Sequence, residues 1–259
     1  MKGAPFWVLG SLLVAALAAP IFAPYPEQID LTHRREPPSA AHWFGTDDLG
    51  RDMLARTLHG GRVSLAVGLL SAAVAGALGI AIGGAAGYAG GITDALLMRG
   101  TDAMLAVPRL PLLMIAAAFV QPNLPALVLL IGMAGWMETA RVARAEMRSL
   151  STRGFVESAR AAGAGHLRVI AVHMLRNAAP TITVSIVMAV ARGILLESTL
   201  SFFGVGVRPP AASWGNMLYQ AQATMATEPW LALVPGVFIL LTTLAVNGAG
   251  ARANAANPA

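Results

Sequence analysis

One polar segment in the second half of the chain is predicted to form a short helix whose residues suit contact with another protein. It starts at Glu157, a carboxylate early in a predicted helix, and it ends near Gly163. Ala159, Ala162 and Gly163 follow an i, i+3, i+4 pattern, which predicts three small residues on one helix face. Such a face fits a groove on a second protein, and Gly163 is expected to end or bend the helix. The alternative is an ordinary amphipathic loop helix.

Two ionisable residues, Arg192 and Glu197, lie within a long apolar segment. Charges at membrane depth are costly and usually face protein or water. A spacing of five residues separates the two side chains by about 140° around a helix, so we expect no ion pair between them. Glu197 is predicted near the end of the segment, where water reaches it. Two interpretations stay open. These side chains either pair with groups on another helix or line a solute path.

The sequence contains no recognisable catalytic or metal-binding motif. His166 and His173 are seven residues apart, but no carboxylate stands at i+4, so we predict a solvated pair and no metal site. HExxH, GxSxG, CxxC and GxxxxGK[ST] are all absent, and there is no cysteine. We therefore expect no enzyme activity, no cofactor and no ATP bound by this chain itself.

The composition indicates a membrane protein. Of the 259 residues, 56% are apolar and 12% are charged, whereas a soluble domain carries about 25% charged residues. The apolar residues form long blocks, and a bilayer core roughly 30 Å thick needs about 20 apolar residues per helix. The blocks predict six spans, at about 5–23, 63–88, 103–120, 126–140, 179–200 and 230–246.

The spans suggest an all-α architecture with two parts. Residues 1–62 are predicted to form a first transmembrane helix and an external loop with a short helix at about 48–58. Residues 63–259 form a five-helix core. The first block also resembles a cleaved signal peptide, but we expect it to be retained because the rest of the chain is membrane-embedded.

Glycine and proline predict how the spans pack and bend. Gly76, Gly79, Gly83 and Gly87 form a small-residue face on the second span, which lets a neighbouring helix approach closely. Pro108 and Pro111 predict a break or kink at the start of the third span. The fourth span is expected to continue as a helix to about residue 150, and the fifth to re-enter the membrane near residue 180.

Arginine placement predicts the orientation. The stretch 141–176 carries seven arginines against two glutamates, and the positive-inside rule makes it cytoplasmic. Both termini are then cytoplasmic, and the Gly/Pro-rich loop 203–229 is external. The first loop holds five arginines but also six acids. The net charge of +5 is attributed to cytoplasmic loops, and no nucleic acid is expected as a partner.

The segment from Glu157 resembles the EAA loop of ABC importer permeases. That loop reads Glu-Ala-Ala, three residues, Gly, and then nine residues to an apolar-x-Leu-Pro element. The matching residues are Glu157, Ala159, Gly163 and Leu175. Ser158 replaces the middle alanine, and Arg176 stands where proline is common.

Three more stretches resemble the smaller permease of the dipeptide, oligopeptide and nickel importers, in the family's order and near its spacing. They are His42-Trp-Phe-Gly-Thr-Asp-Asp-Leu-Gly-Arg-Asp52, Arg62-Val-Ser-Leu65, and Glu197-Ser-Thr-Leu-Ser-Phe-Phe-Gly-Val-Gly-Val-Arg-Pro-Pro210 continuing to Ser213-Trp-Gly-Asn216. The resemblance extends from about Pro24 to Val246. The tail departs from it, because the family often ends in a charged segment.

The resemblance implies a type I ABC importer permease fold in the cytoplasmic (inner) membrane. It implies a heterodimer with a second permease, two cytoplasmic ATPase subunits that bind the ATP, and an extracytoplasmic solute-binding protein. The loop at about 141–178 is then the coupling loop. The residues implied to contact the ATPase are Glu157, Ser158, Ala159, Ala162, Gly163 and His166.

The resemblance also draws attention to the first loop. We expect it to brace the permease pair at the outer membrane face, and the alternative is a free solvated loop. The residues of this brace are Gly45, Asp47, Gly50, Arg51 and Asp52.

Two other classes of function are alternatives to an importer subunit. A secondary transporter that works without ATPase subunits uses paired discontinuous helices, and the third span supplies one break without a matching second. An intramembrane enzyme needs a nucleophile or a metal set inside the spans, and none is found. The transported solute stays open between peptides, nickel and related small solutes.

Overall fold

The structure is a computed structural model that describes residues 4–23, 27–121 and 123–255. Within these ranges the chain is helical, without a β-strand, and Thr46 and Asp52 form an isolated bridge. The helices are α1 (Ala4–Phe22), α2 (Met53–Ala89), α3 (Gly91–Ala106), α4 (Arg109–Val120), α5 (Leu124–Met133), α6 (Trp136–Ser151), α7 (Gly154–Ala161), α8 (His166–Arg168), α9 (Leu175–Phe202), α10 (Trp214–Ala221) and α11 (Trp230–Ala255). A π-helical segment, Val169–Met174, joins α8 to α9. The predicted all-α class is confirmed.

Four helical stretches in the described part of the chain are long and apolar enough to cross a membrane. They are Pro5–Phe22, Met53–Ala89, His166–Phe202 and Trp230–Ala255. Two pairs of shorter helices pass the same test as bent spans, α3 with α4 at 81° and α5 with α6 at 46°. Counting each bent pair as one span gives the six spans predicted from the sequence.

The second span is longer than predicted. The Asp52 side chain accepts a hydrogen bond from the Ala55 amide at 2.9 Å and so caps α2 at its first turn. From Met53 the helix runs for 37 residues, or about 55 Å at 1.5 Å per residue. The separate short helix at 48–58 is therefore wrong, because those residues include the cap and the first turns of α2. The predicted division at residue 62 falls inside this continuous helix.

The sequence predicted the break in one of the two bent spans and missed the break in the other. Pro108 separates α3 from α4 as expected, because the residue before a proline is pushed into extended backbone, and Val107 has φ −79° and ψ 126°. The expected continuation of the fourth span to about residue 150 is confirmed, because α6 ends at Ser151, but the chain bends between α5 and α6. Gly132 and Gly135 flank that bend, and glycines are a common cause of helix kinks.

The fifth span starts earlier than predicted. Pro180 lies inside α9, so the helix continues through this residue, and re-entry into the membrane near residue 180 stays a prediction. Membrane helices tolerate an internal proline because neighbouring groups satisfy the freed carbonyl. The loop predicted at 203–229 also contains a helix, α10, which a capping box between Ser213 and Asn216 starts.

The helix α2 lies at the centre of the bundle and packs against α5, α6 and α9. A Cβ atom at Gly83 would lie 2.0 Å from the Ala140 carbonyl oxygen, so the α2 and α6 backbones are in direct contact. Gly76 instead faces Ile186 of α9. The predicted small-residue face is confirmed, and it packs against two neighbouring helices.

The bundle has two distinct ends. The first-loop end carries the loop 27–52 and α10, and the α7 end lies at the other terminus of α2, where Tyr88 meets His166. The helix α11 starts beside the first loop, since Gly45 lies against Trp230, and it runs toward the α7 end. The side chain of Pro5 packs near Gly248, so α1 and α11 both extend toward the α7 end.

Candidate functional site

The helix α7 ends in a motif that requires glycine. The Gly163 amide donates to the Arg160 carbonyl at 2.9 Å, and the Ala164 amide donates to the Ala159 carbonyl at 3.0 Å. These two bonds form a Schellman motif, whose central residue adopts the left-handed conformation. Gly163 has φ +82°, and no atom lies within 4 Å of a Cβ built there. The glycine therefore serves the backbone turn, as the sequence predicted, and not a close contact within the chain.

The predicted single face of small residues is wrong in part. The helix ends at Ala161, so Ala162 and Gly163 lie beyond it on the exposed turn. Ala159 points the other way and packs against the core cluster that holds the fully buried Val156 and Val169. Small residues near a helix end do not share a face once the backbone leaves the helical conformation.

The surface of α7 that faces away from the bundle is mixed in character. Glu157 and Ser158 are exposed, as are the larger apolar side chains of Phe155 and Leu167. Leu167 is 83% exposed at the start of the next helix. An exposed helix with apolar and acidic side chains at the end of a membrane bundle suits contact with a second protein.

Tyr88 connects this surface to the central helix. Its hydroxyl lies 2.5 Å from His166 Nδ1, and the guanidinium of Arg160 lies 5.3 Å from the centre of its ring. His166 therefore belongs to the same surface as α7, although it lies outside that helix. Sequence reasoning missed Tyr88, because a tyrosine at the end of an apolar span carries no distinct signal.

The first loop is held to the bundle by a buried ionic group, which we call the loop lock. Asp47 Oδ2 lies 2.7 Å from Arg51 Nε and 3.4 Å from Arg56 Nε. Both arginines also reach Gln220 of α10, at 3.5 Å and 3.1 Å. Asp47, Arg51 and Arg56 are 4%, 6% and 1% exposed. The alternative of a free solvated loop is wrong, because these contacts tie the loop to α10 of the same chain.

Two glycines of the predicted brace allow the loop to fold tightly. Gly45 and Gly50 have φ +75° and +73°, a region that glycine adopts without steric cost. A Cβ atom at Gly50 would lie 1.7 Å from the Asp30 carbonyl oxygen. Asp52, the last residue of the brace, caps α2, and its Oδ2 atom also forms a 2.8 Å hydrogen bond with His42 Nδ1. Bracing of a second subunit by this loop stays a prediction.

Glu197 is buried, and the expectation that water reaches it is wrong. Its side chain has no exposed area, and it accepts hydrogen bonds from Ser64 at 2.8 Å and from Ser201 at 2.7 Å. Ser64 also accepts from the Trp214 amide at 3.2 Å. Glu197 thus joins α2, α9 and α10 at the first-loop end.

Arg192 belongs to a second charged group, which lies at the two helix bends. Glu138 Oε2 is 2.9 Å from Arg192 Nε, and Glu138 Oε1 is 3.1 Å from an Arg109 terminal nitrogen. Arg109 follows the Pro108 break, and Glu138 lies in the first turn of α6. All three side chains are partly exposed, at 22–38%. As expected, Arg192 and Glu197 do not pair with each other, and sequence reasoning missed the other two members.

The architecture defines a multi-pass membrane protein. The chain belongs to the family described as the binding-protein-dependent transport system inner membrane component, whose model matches residues 79–254. It is therefore a permease subunit of the ABC importer type, which confirms the resemblance inferred from the EAA segment.

Individual relatives agree with this assignment. A putative peptide permease protein of Brucella suis is 40% identical over 246 residues, which cover 94% of this chain and 82% of that protein. The probable D,D-dipeptide transport system permease protein of Escherichia coli is 37% identical over 253 residues, covering 95% of this chain and 85% of that protein. Partner subunits of the general kind, a permease, an ATPase and a binding protein, follow from membership in this family.

Proposed function

We propose that this chain pairs with a second permease to form the translocation path of an ATP-driven importer for peptides or a related small solute. The observation that carries the proposal is the exposed, Schellman-capped α7, which contacts α2 through Tyr88. A helix in this position is suited to receive motion from an ATPase and pass it to the core of the bundle. The chain itself is not an enzyme, and ATP binds to two partner ATPase subunits.

The orientation is part of the proposal. The α7 end faces the cytoplasm, together with both termini, and the first-loop end faces the extracytoplasmic binding protein. Support comes from the excess of arginine between 141 and 176. It also comes from the course of α1 and α11, which both extend toward the α7 end.

The charged group of Arg109, Glu138 and Arg192 is proposed to line the path. Ionisable residues at membrane depth mark solute pathways when they face a cavity or a partner, and these three are partly exposed where both bent spans change direction. This group offers both positive and negative side chains to a zwitterionic solute such as a peptide. Glu197, by contrast, is proposed to be structural because it is fully buried and satisfied by serines.

Peptide as the solute is supported by the names of the relatives in Brucella suis and Escherichia coli. The solute specificity also depends on residues of the second permease and on the ligand that the binding protein accepts. Nickel and other small solutes are the alternatives that an uptake assay distinguishes.

Uptake by reconstituted vesicles tests the function. We expect vesicles with both permeases, the ATPase subunits and the binding protein to accumulate labelled di- and tripeptides when ATP is supplied on the ATPase side. Omitting the ATPase subunits is expected to reduce uptake to background, because this chain has no nucleotide-binding motif. Uptake driven by an ion gradient without ATPase subunits would instead support a secondary transporter.

Cysteine labelling tests the orientation. The native sequence has no cysteine, so Ser158→Cys on α7 and Ala226→Cys at the first-loop end each provide the chain's single thiol at an exposed position. An impermeant maleimide added to intact spheroplasts is expected to label Ala226→Cys and to leave Ser158→Cys unmodified. Inverted vesicles are expected to give the opposite result, and the reverse assignment in both preparations contradicts the proposed orientation.

A further inference from the structure

The first loop brings two imidazoles and a carboxylate together. One ligand atom from each of His33, Glu36 and His42 lies within 4.8 Å of the other two. His33 Nδ1 and Glu36 Oε1 are 2.8 Å apart, and the rings of His33 and His42 have centroids 5.9 Å apart. His166 and His173 drew attention in the sequence because their spacing places them on one helix face, whereas these three residues lie in a loop and share no such spacing.

Hydrogen bonds to the loop backbone fix two of these residues, His33 and Glu36. The buried Thr46 hydroxyl donates to the His33 carbonyl and accepts from the Glu36 amide at 2.9 Å, so one side chain positions two of them. Arg35 between them has φ +56°, which is unusual for a residue other than glycine. This turn of the backbone brings Glu36 back toward His33.

His42 has the partner that metal-binding histidines commonly have. Its Nδ1 lies 2.8 Å from Asp52 Oδ2, which leaves Nε2 as its ring nitrogen available to a ligand. A carboxylate behind a ligating histidine fixes the tautomer and the ring orientation. The other oxygen of Asp52 caps α2 through the Ala55 amide.

The surrounding charges favour a cation. The Asp30 carboxylate lies at the start of the same turn, where it accepts a hydrogen bond from the Thr32 amide at 3.0 Å, and Asp52 adds a second carboxylate beside His42. The two arginines nearest in sequence are directed elsewhere. Arg34 donates to the Asp48 carbonyl at 2.7 Å, and Arg35 lies 3.6 Å from Glu228.

We propose that His33, Glu36 and His42 bind a divalent transition-metal ion of the zinc type. Two imidazole nitrogens and one carboxylate oxygen are ligands that Zn²⁺ accepts, at about 2.0–2.2 Å each. A water molecule takes the fourth position. The ion ties the turn at 31–36 to His42 and, through Asp52, to the first turn of α2. This site is separate from the proposed path and does not depend on the identity of the solute.

The test measures Zn²⁺ binding to the full-length chain in lipid nanodiscs, purified without a histidine tag and stripped with a chelator. Competition against a chromogenic chelator is expected to give one bound Zn²⁺ per chain. His33→Gln and His42→Gln are each expected to weaken this binding by at least about tenfold. Asp52→Asn retains a capping side chain and is expected to lower the affinity by roughly 10- to 100-fold.

Matched controls separate this site from general histidine binding and from misfolding. His173→Gln is expected to bind Zn²⁺ as the parent chain does, and Mg²⁺ is not expected to compete because it prefers oxygen ligands. Thermal unfolding with chelator present shows whether each variant is folded, and Glu36→Gln supplies a nearly isosteric third variant. No binding by the parent chain, or equal binding by the folded His33, His42 and Glu36 variants, overturns the proposal.

Discussion

Asp47→Ala is expected to reduce the stability of the permease sharply and to lower its yield in the membrane. The change leaves Arg51 and Arg56 buried without the carboxylate that lies 2.7 Å and 3.4 Å from them. Removing one partner of a buried ion pair costs about 3–5 kcal/mol, because the remaining charge stays desolvated. The measurement is thermal or denaturant unfolding of the purified chain, together with its level in isolated membranes.

Asp48→Ala is the matched control for this prediction. Asp48 is adjacent in sequence, but its side chain is 49% exposed and lies 3.9 Å from Arg51. Exposed pairs of this kind contribute about 0–1 kcal/mol, so this variant is expected to resemble the parent chain. The double variant Asp47→Ala with Arg51→Met removes one stranded charge and is expected to recover part of the loss. Equal stability of the Asp47 and Asp48 variants would contradict the loop lock.

Gly163→Leu is expected to abolish ATP-driven import while the chain stays folded in the membrane. The left-handed backbone at φ +82° costs a residue with a side chain about 1–2 kcal/mol. The added bulk also lies on the exposed turn that is proposed to contact the ATPase, where overpacking costs about 1–3 kcal/mol. The overpacking alone weakens ATPase binding by roughly one to two powers of ten, whereas the backbone strain destabilises the turn itself. Co-purification of the ATPase subunits and vesicle uptake provide the measurements.

Gly165→Ala is the control for the backbone requirement. Gly165 is exposed, also has no atom within 4 Å of a built Cβ, and has φ −66°, which alanine adopts freely. We expect the Gly165→Ala variant to import normally. Ala162→Leu is expected to weaken coupling through its added bulk alone. Ala159→Leu is a poor probe, because Ala159 packs against the chain's own core. Normal co-purification and import by Gly163→Leu would exclude α7 as a coupling helix.

Local signals explain what the sequence predicted well. Proline at 108 fixed the break between α3 and α4, glycine at 163 predicted the end of α7, and the spacing of glycines on α2 predicted its contact face. Each of these depends on the conformational properties of one residue type. The six-span architecture followed from the length of the apolar blocks, because membrane thickness sets that length.

The errors have a different physical origin. Glu197 looked accessible because its burial depends on Ser64 and Trp214, which are distant in sequence. The break between α5 and α6 was missed because glycines in an apolar run do not show which of them will bend. The cluster of His33, Glu36 and His42 forms only when the loop backbone turns at Arg35. Contacts that depend on loop conformation or on distant segments leave no periodic pattern in the sequence.

The continuous α2 has a mechanical consequence. One end of α2 is capped by Asp52 in the first loop, and the other end holds Tyr88 beneath the α7 surface. Over a length of about 55 Å, a tilt of about 5° displaces the far end by about 5 Å, which is close to one helical turn. If α7 is the coupling helix proposed above, a small tilt of α2 at the α7 end moves its first-loop end by about this distance, without any bend in the helix between them.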